Sequence, residues 1–402
     1  MGTMPPKRLI EYDRDAILRS DLSARDEFAV PQDVAFLNTA NIGPRLASVR
    51  AAETVALNRW STPWLLTAED WFADTERLRA LAAPLFNASA DDIAIVPSVS
   101  YAMAVAIHNV PVERGQSIVI LDEDFPSNYY AWEHRSRETG AELRIAKRDG
   151  DGSWAGSILQ AIDSDTAVVS VPVCHWTNGA QIWIEAVARC ARSVGAALVI
   201  DASQSLGIIP FDVQALDPDF AVSVGYKWLL GPYGMSYLFV APRHQSGRSI
   251  EDAWPMHRGS QDLARLTAYQ TELRDGARRF DAGEHQNFIL LPMAIAALEH
   301  AQRWDAARIG AWLSQLTQTF ADIGASLGYQ PTPESVRSPH FLGLDVGGER
   351  AKEVTAALRG DGVYVATRGS AIRVAPHMHT TPADIERFAS ALTKARSVAH
   401  TH

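Results

Sequence analysis

Phe220-Ala221-Val222-Ser223-Val224-Gly225-Tyr226-Lys227-Trp228-Leu229-Leu230-Gly231-Pro232-Tyr233-Gly234 joins an apolar run, a lysine and a Gly-Pro turn. Upstream, Asp201 closes a second apolar run, Ala197-Leu198-Val199-Ile200, 26 residues before the lysine. Further short runs of the same kind are Ile93-Ala94-Ile95-Val96, Ser117-Ile118-Val119-Ile120-Leu121, Ala167-Val168-Val169-Ser170-Val171 and Ser236 to Val240. Helical stretches such as Glu185 to Val194 lie between them. Strands that are apolar throughout, with no alternation, suit a parallel sheet covered on both faces. The expected fold class is therefore α/β, a mostly parallel sheet flanked by helices in a large domain. Ligands in such sheets bind beyond the carboxyl ends of the strands. Asp201 and the residues just after Val96 and Leu121 stand at those ends.

A second region begins after about Asn287. Leu290 to Arg303 reads as one long helix, followed by a helical stretch (Ala311 to Leu327) and a strand (Phe341 to Val346). A helix (Ala351 to Arg359), two strands (Val363 to Thr367 and Ala371 to Ala375) and a helix from Pro382 complete a small α+β domain. Thr380-Thr381-Pro382-Ala383-Asp384 supplies the last helix with a cap, a first-turn proline and an early acid. The expected division is an N-terminal segment 1–36, a large domain 37–287 and a small C-terminal domain 288–402.

The sequence has 402 residues, 47% of them hydrophobic, enough for more than one sizeable core. A formal charge of −10 argues against nucleic acid or an anionic membrane surface as a partner. No stretch approaches the roughly 20 apolar residues that span a bilayer, and Met1 to Asp13 lacks the apolar core of a secretory signal. Two cysteines, Cys174 and Cys190, make no disulfide framework and no CxxC spacing. A cytoplasmic protein is expected. His377-Met378-His379 offers two imidazoles with no third ligand in view, so no metal site is expected.

Alone, Asp201 reads as a helix cap and Lys227 as a snorkelling surface lysine. Together they suit one kind of site, which holds pyridoxal 5′-phosphate (PLP). The lysine makes the Schiff base, and the carboxylate pairs with the protonated pyridine nitrogen, which favours spreading carbanion charge into the ring. The freed lysine amine can move protons on one face of the substrate.

Ile200-Asp201-Ala202-Ser203-Gln204-Ser205-Leu206-Gly207, then Gly225-Tyr226-Lys227-Trp228 and Gly231-Pro232-Tyr233-Gly234, closely resemble class V of the fold-type-I PLP enzymes. That family includes kynureninase, isopenicillin N epimerase, cysteine desulfurases and class V aminotransferases. The resemblance runs from Leu37 to about Arg387. It implies that Gln204 bonds the cofactor's phenolic oxygen and that Tyr226 donates to its phosphate. Pro97-Ser98-Val99-Ser100-Tyr101-Ala102-Met103 fits the phosphate cradle, a strand end followed by a helix expected to start near Ser100. Ser100 keeps the family's hydroxyl there, and Tyr101 departs from the usual pattern.

Asp124-Phe125-Pro126-Ser127-Asn128 resembles the segment whose phenylalanine lies on the pyridine ring, which makes Phe125 the stacking candidate. Trp176, in His175-Trp176-Thr177-Asn178-Gly179, stands where many relatives carry an asparagine. Arg373, in Gly369-Ser370-Ala371-Ile372-Arg373-Val374-Ala375, resembles the arginine that grips the substrate carboxylate with its bidentate fork. Asn41, in the turn Asn41-Ile42-Gly43-Pro44, resembles the entry loop lining the substrate site. Arg279-Phe280-Asp281-Ala282-Gly283-Glu284 matches a segment that reaches the neighbouring subunit's cofactor. Glu284 replaces a phosphate-binding threonine there, so either Glu284 turns away or Asn287 makes the contact instead. A homodimer with active sites near its interface is implied.

Thiol-mediated sulfur relay is disfavoured, because no cysteine lies between Gly328 and His402. Phe125 and Tyr226 together lean towards a lyase that breaks a C–C or C–S bond in the side chain of its substrate, or an epimerase-like enzyme, acting on a small-molecule amino acid. A class V aminotransferase is the alternative reaction, and a non-catalytic binding protein of the same fold the alternative of another kind. Intact Lys227, Asp201 and Arg373 favour an enzyme. No GxGxxG follows a strand, so a nicotinamide site has no support.

Overall fold

The computed structural model describes residues 22–150, 152–348 and 350–398. Met1 to Asp13, where a leader would stand, lies outside them. The protein divides into two compact units. The larger comprises residues 45–176 and 181–306; the smaller takes the described residues up to Pro44, then 177–180 and those from Ala307 on.

This division departs from the expected 37–287 and 288–402, and each departure has a packing cause. The helix Leu290–Arg303 belongs to the larger unit. It packs against the helices Ala47–Trp60 and Ala73–Phe86 and buries Leu291, Ala294, Ile295 and Leu298. Residues 37–44 belong to the smaller unit. There β1 (Ala35–Phe36) pairs in parallel with β11 (Val363–Tyr364), and the Thr39 N–H donates to the Ala375 carbonyl at 3.1 Å. Nor does the described part of 1–36 stand apart, since buried Arg25 donates to Asp384 at 2.8 Å and to the His379 carbonyl at 2.9 Å.

The larger unit holds the strands β2 (Ile93–Val96), β3 (Ser117–Leu121), β4 (Glu142–Ala146), β5 (Thr166–Pro172), β6 (Ala197–Asp201), β7 (Phe220–Val224) and β8 (Ser236–Val240). These seven form one sheet in the order β2-β8-β7-β6-β5-β3-β4. All pairings are parallel except those of β8 with β7 and β2. Every residue of β2, β3, β5, β7 and β8 is buried, which is why their sequences are apolar throughout. Edge strand β4 departs from this, with one neighbour and with Glu142 and Ile145 exposed. Because β2, β3, β5, β6 and β7 run the same way, their carboxyl ends share one edge of the sheet. The segments holding Ser98, Asp124, Trp176, Gln204 and Lys227 all leave from that edge.

In the smaller unit β9 (Gln330–Pro331), β10 (Leu342–Asp345), β12 (Ala366–Arg368) and β13 (Ala371–Val374) form an antiparallel sheet in the order β12-β13-β10-β9. Its helices are Ala306–Ser326, Arg350–Gly360 and Pro382–Val398. The last begins as its sequence signal predicts: Asp384 accepts from the Thr381 N–H at 2.8 Å and hydroxyl at 2.9 Å.

Candidate active site

Asp201 is the last residue of β6 and is paired in register with Val222 of β7. The backbone turns sharply after it. Asp201 Oδ1 accepts from the Ser203 N–H at 2.9 Å, and Ser203 Oγ accepts from the Val224 N–H at 3.2 Å. Those two bonds clamp the carboxylate to the end of β7, from which Lys227 follows three residues on. Gly225 is needed there, because a Cβ on it would stand 2.8 Å from the Met235 carbonyl. The Gly231 N–H returns to the Gly225 carbonyl at 2.8 Å, and the Leu230 N–H reaches the Lys227 carbonyl at 3.2 Å. Leu230 is held at φ +57°, a strained value for leucine that closes the turn around the lysine. Lys227 is only 8% exposed, with Nζ 5.4 Å from the centre of the Phe125 ring and 5.9 Å from that of Tyr226. An ammonium over ring faces is favourable once water is excluded.

Phe125 leaves β3 through Asp124 and opens the helix Pro126–Thr139. Trp176 meets it edge-on at 5.5 Å, and the Trp176 indole N–H donates to the Glu123 carbonyl at 2.8 Å. Glu123 itself sits at φ +54°. Trp176 thus braces the Phe125 ring from the side. Two residues to which the sequence assigns no role complete this corner. Asn128, fully buried, places its Nδ2 3.4 Å from Asp201 Oδ2 and 3.4 Å from Asp124 Oδ1. Asp124 Oδ1 also accepts from the Phe125 N–H at 2.6 Å, while Oδ2 is buried without a partner. Burial first, and then the charge of Asp201, push the Asp124 carboxyl up to about 7.

Gln204, also buried, accepts the Trp228 indole N–H on Oε1 at 2.9 Å. That contact orients the amide so that its NH₂ is the end offered to an anionic oxygen. Tyr226 lies 4.5 Å from the ring of Tyr233, and burial, with Tyr233 and Asp201 nearby, pushes its phenol up to about 12. After β2 the helix Val99–Asn109 starts one residue before the expected Ser100. Ser98 is its cap, with Oγ accepting from the Tyr101 N–H at 3.2 Å and lying 3.0 Å from Ser100 Oγ. This helix start is open to an anion, because its first N–H groups have no turn before them. Tyr101 faces elsewhere, donating its hydroxyl to the Asp281 carbonyl at 3.3 Å. Asn287 caps the helix Leu290–Arg303, accepting from the Ile289 and Leu290 N–H groups at 3.1 and 2.9 Å. Asp281, in the same segment, is a buried ion-pair partner of Arg79 at 2.7 Å.

In the smaller unit Arg373 lies on β13, 1% exposed. Burial, and secondarily Arg368, bring its guanidinium down to about 9. Asn41 is exposed in a turn closed by its own N–H to the Asn38 carbonyl at 3.0 Å. His377 and His379 are core residues, stacked 6.5 Å apart, with His379 Nε2 2.7 Å from the Phe36 carbonyl. Among the described residues no group of three or more His, Cys, Asp or Glu could hold a metal ion.

The model of the class-V aminotransferase family matches residues 67–388. The protein belongs to that family. The family match takes in every strand of the large sheet, Asp201, Lys227 and Arg373. The sequence is similar to a kynureninase of Deinococcus radiodurans, 29% identical over 76% of this chain and 75% of that one. It is also similar to a probable cysteine desulfurase of Methanothermobacter thermautotrophicus, 30% identical over 52% of this chain and 51% of the relative. Among solved structures, the fold is that of the Escherichia coli cysteine desulfurase CsdA, with TM-score 0.79 and 17% identity over 93% of this chain and 98% of that one. A cystine C–S lyase solved with its product, cysteine persulfide, superposes as well, with TM-score 0.79 and 17% identity over 90% and 97% of the two proteins.

The protein is accordingly a PLP-dependent enzyme, and its own residues fit the cofactor. Asp201 is a buried carboxylate with one short and one long hydrogen bond, which leaves its charge in want of a cation. Lys227, aromatic rings and a capped helix start leave the sheet from the same edge as Asp201. Among the described residues no helix is long and apolar enough to cross a membrane.

Proposed function

We propose that this enzyme cleaves a carbon–carbon or carbon–sulfur bond in the side chain of an amino acid, using PLP joined to Lys227. The observation that carries the reading is the juxtaposition of buried Lys227 with the Phe125 ring, beside a strand that ends in buried Asp201. The cofactor supplies a conjugated ring that takes up the electron pair left when a bond to the α-carbon breaks. The remaining work belongs to the protein's own residues. Asp201 keeps the ring nitrogen protonated, and Phe125, braced by Trp176, fixes the ring plane. Gln204 offers its NH₂ to the phenolic oxygen. Ser100, the backbone N–H groups of the helix start and Tyr226 would hold the phosphate. The Lys227 amine would hold PLP and, when free of it, would carry protons to and from the carbons beside the breaking bond.

Arg373 is the cation for the substrate's carboxylate, and Asn41 lines the entry. A homodimer, a cytoplasmic location and the absence of nucleic-acid and membrane partners belong to the same reading. The kynureninase relative supports the carbon–carbon branch, and the cystine lyase fold leaves the carbon–sulfur branch open without a relay thiol. Cys174 and Cys190 form no disulfide; Cys174 is buried and Cys190 half-buried.

The test incubates holoenzyme with pools of amino acids and follows the cofactor spectrum together with product mass. Alanine, pyruvate or sulfide formed at turnover is the expected result. Stoichiometric pyridoxamine phosphate with a keto acid would instead establish transamination, and inversion without bond loss would establish epimerisation. Arg373→Lys should raise KM for the substrate more than it lowers kcat, because a bidentate carboxylate contact is lost.

A further inference from the structure

The corner behind Asp201 contains a second buried acid that the cofactor chemistry above does not use. Asp124 and Asp201 both face the Asn128 amide, whose Nδ2 stands 3.4 Å from an oxygen of each. Asn128 is fully buried, Asp124 is 7% exposed and Asp201 8%. One amide nitrogen carries two protons, so it can serve both carboxylates at once, but it cannot neutralise either. Two full negative charges this close, without a cation between them, do not coexist at low cost in a buried site. Asp124 is the acid that yields, because its Oδ2 is buried without a partner, whereas both Asp201 oxygens accept, Oδ1 from the Ser203 N–H at 2.9 Å and Oδ2 from Asn128 at 3.4 Å.

We propose that Asp124 is a positioning residue that holds a proton while Asp201 stands without a cation and releases it when a protonated pyridine ring docks on Asp201. This inference rests on the proposed role of Asp201. Asp124 then acts through Asn128. Before docking, the neutral acid limits the pair to one negative charge. After docking, the cation at Asp201 lowers the opposition to ionising Asp124, and the second carboxylate adds its field to the one that keeps the ring protonated.

The other groups around Asp124 do not take this role. Lys227 lies over the adjacent Phe125 ring with Nζ 5.4 Å from its centre, and Tyr226 lies beyond the lysine. His175, whose Nε2 is 3.3 Å from the Asp122 carbonyl, is brought down to about 4 chiefly by burial, so it is neutral across the relevant range. Glu123 is paired with Arg148 at 3.3 Å, and Asp122 with Lys147 at 3.2 Å. Among the described residues, Asp201 is the charge that bears directly on the Asp124 carboxyl.

The experiment measures the PLP dissociation constant of wild type and Asp124→Asn between pH 5 and 8, by tryptophan fluorescence quenching. Asparagine has the shape of the protonated acid, so the variant should fold. Taking the ratio of the two constants removes the titration of PLP itself. Binding that releases a proton tightens by at most about tenfold per pH unit. The ratio of wild-type to variant constants should therefore fall as the pH rises below about 7, and level off above. In the PLP-free protein, the infrared band of a protonated carboxyl should be present in wild type and absent in Asp124→Asn. Asp201→Asn should shift the disappearance of that band to lower pH.

A ratio independent of pH, or an apoprotein band unchanged by Asp124→Asn, would overturn the inference. If wild type bound no PLP at any pH, the cofactor reading would fall instead, and the inference built on it with it.

Discussion

Replacing Asp281 by asparagine should destabilise the larger unit by about 3 kcal/mol. Arg79 is fully buried and Asp281 is 1% exposed, with bonds of 2.7 and 3.1 Å between guanidinium and carboxylate. Asp281 Oδ1 also accepts from the Ile95 N–H at 2.7 Å, which ties the pair to β2. The asparagine would keep one acceptor oxygen but turn an NH₂ group on a guanidinium N–H, donor against donor, and remove the countercharge. Unit charges about 4 Å apart interact by about 4 kcal/mol at an effective dielectric constant near 20. Breaking a buried pair from one side costs about 3–5 kcal/mol. Glu76 stands 3.5 Å from the Arg79 Nε and retains part of the attraction, which sets the expectation at the low end.

The assay is urea unfolding of the PLP-free protein, so that ligand binding does not add to apparent stability. Asp281→Asn combined with Arg79→Met should recover at least about 1 kcal/mol of the loss, because the stranded cation is gone. A single variant within about 0.5 kcal/mol of wild type, or a double variant worse than the single, would refute the reasoning.

Phe125→Leu should weaken PLP binding by up to about tenfold, since an aromatic contact contributes about 0.5–1.5 kcal/mol beyond burial; dialysis against graded PLP measures it, and unchanged affinity would remove Phe125 from the site. Glu76 titrates in the opposite sense to Asp124. Burial opposes its ionisation, but the hydrogen bond from Arg278 and the charges of Arg79, Arg278 and Arg274 hold the carboxyl down at about 2. Its contribution is therefore complete above its unfolded value of 4.5 and is lost as the pH falls towards 2. Denaturation midpoints should show a loss of stability across that acid window that Glu76→Gln reduces; an identical acid limb in the variant would contradict the assignment.

What is legible in the sequence follows from burial on both faces. Ile93–Val96, Ser117–Leu121 and Phe220–Val224 are apolar throughout because they lie inside a covered sheet, and their bounds are those expected. Edge strand β4 does not show itself, because Glu142 and Arg144 give it the composition of a charged helix end. Lys227 and Asp201 stand out as charges beside apolar runs. Asp124 does not, since an acid before Phe-Pro reads as a loop residue, and only the approach of Asp201 and Asn128 from other segments buries it. The cradle helix is expected to start near Ser100, but Ser98 caps it. Leu290–Arg303 has the bounds its sequence predicts and lies in the other unit, because periodicity reports that a helix has an apolar face and not which helices cover it.

The most direct measurement reduces purified enzyme with borohydride in the presence of PLP and maps the modified peptide by mass spectrometry. The pyridoxyl mass should sit on Lys227 alone, with the visible absorption of the unreduced protein absent in Lys227→Ala. A label on another lysine, or a Lys227→Ala protein that keeps the same band, would contradict the account at its centre.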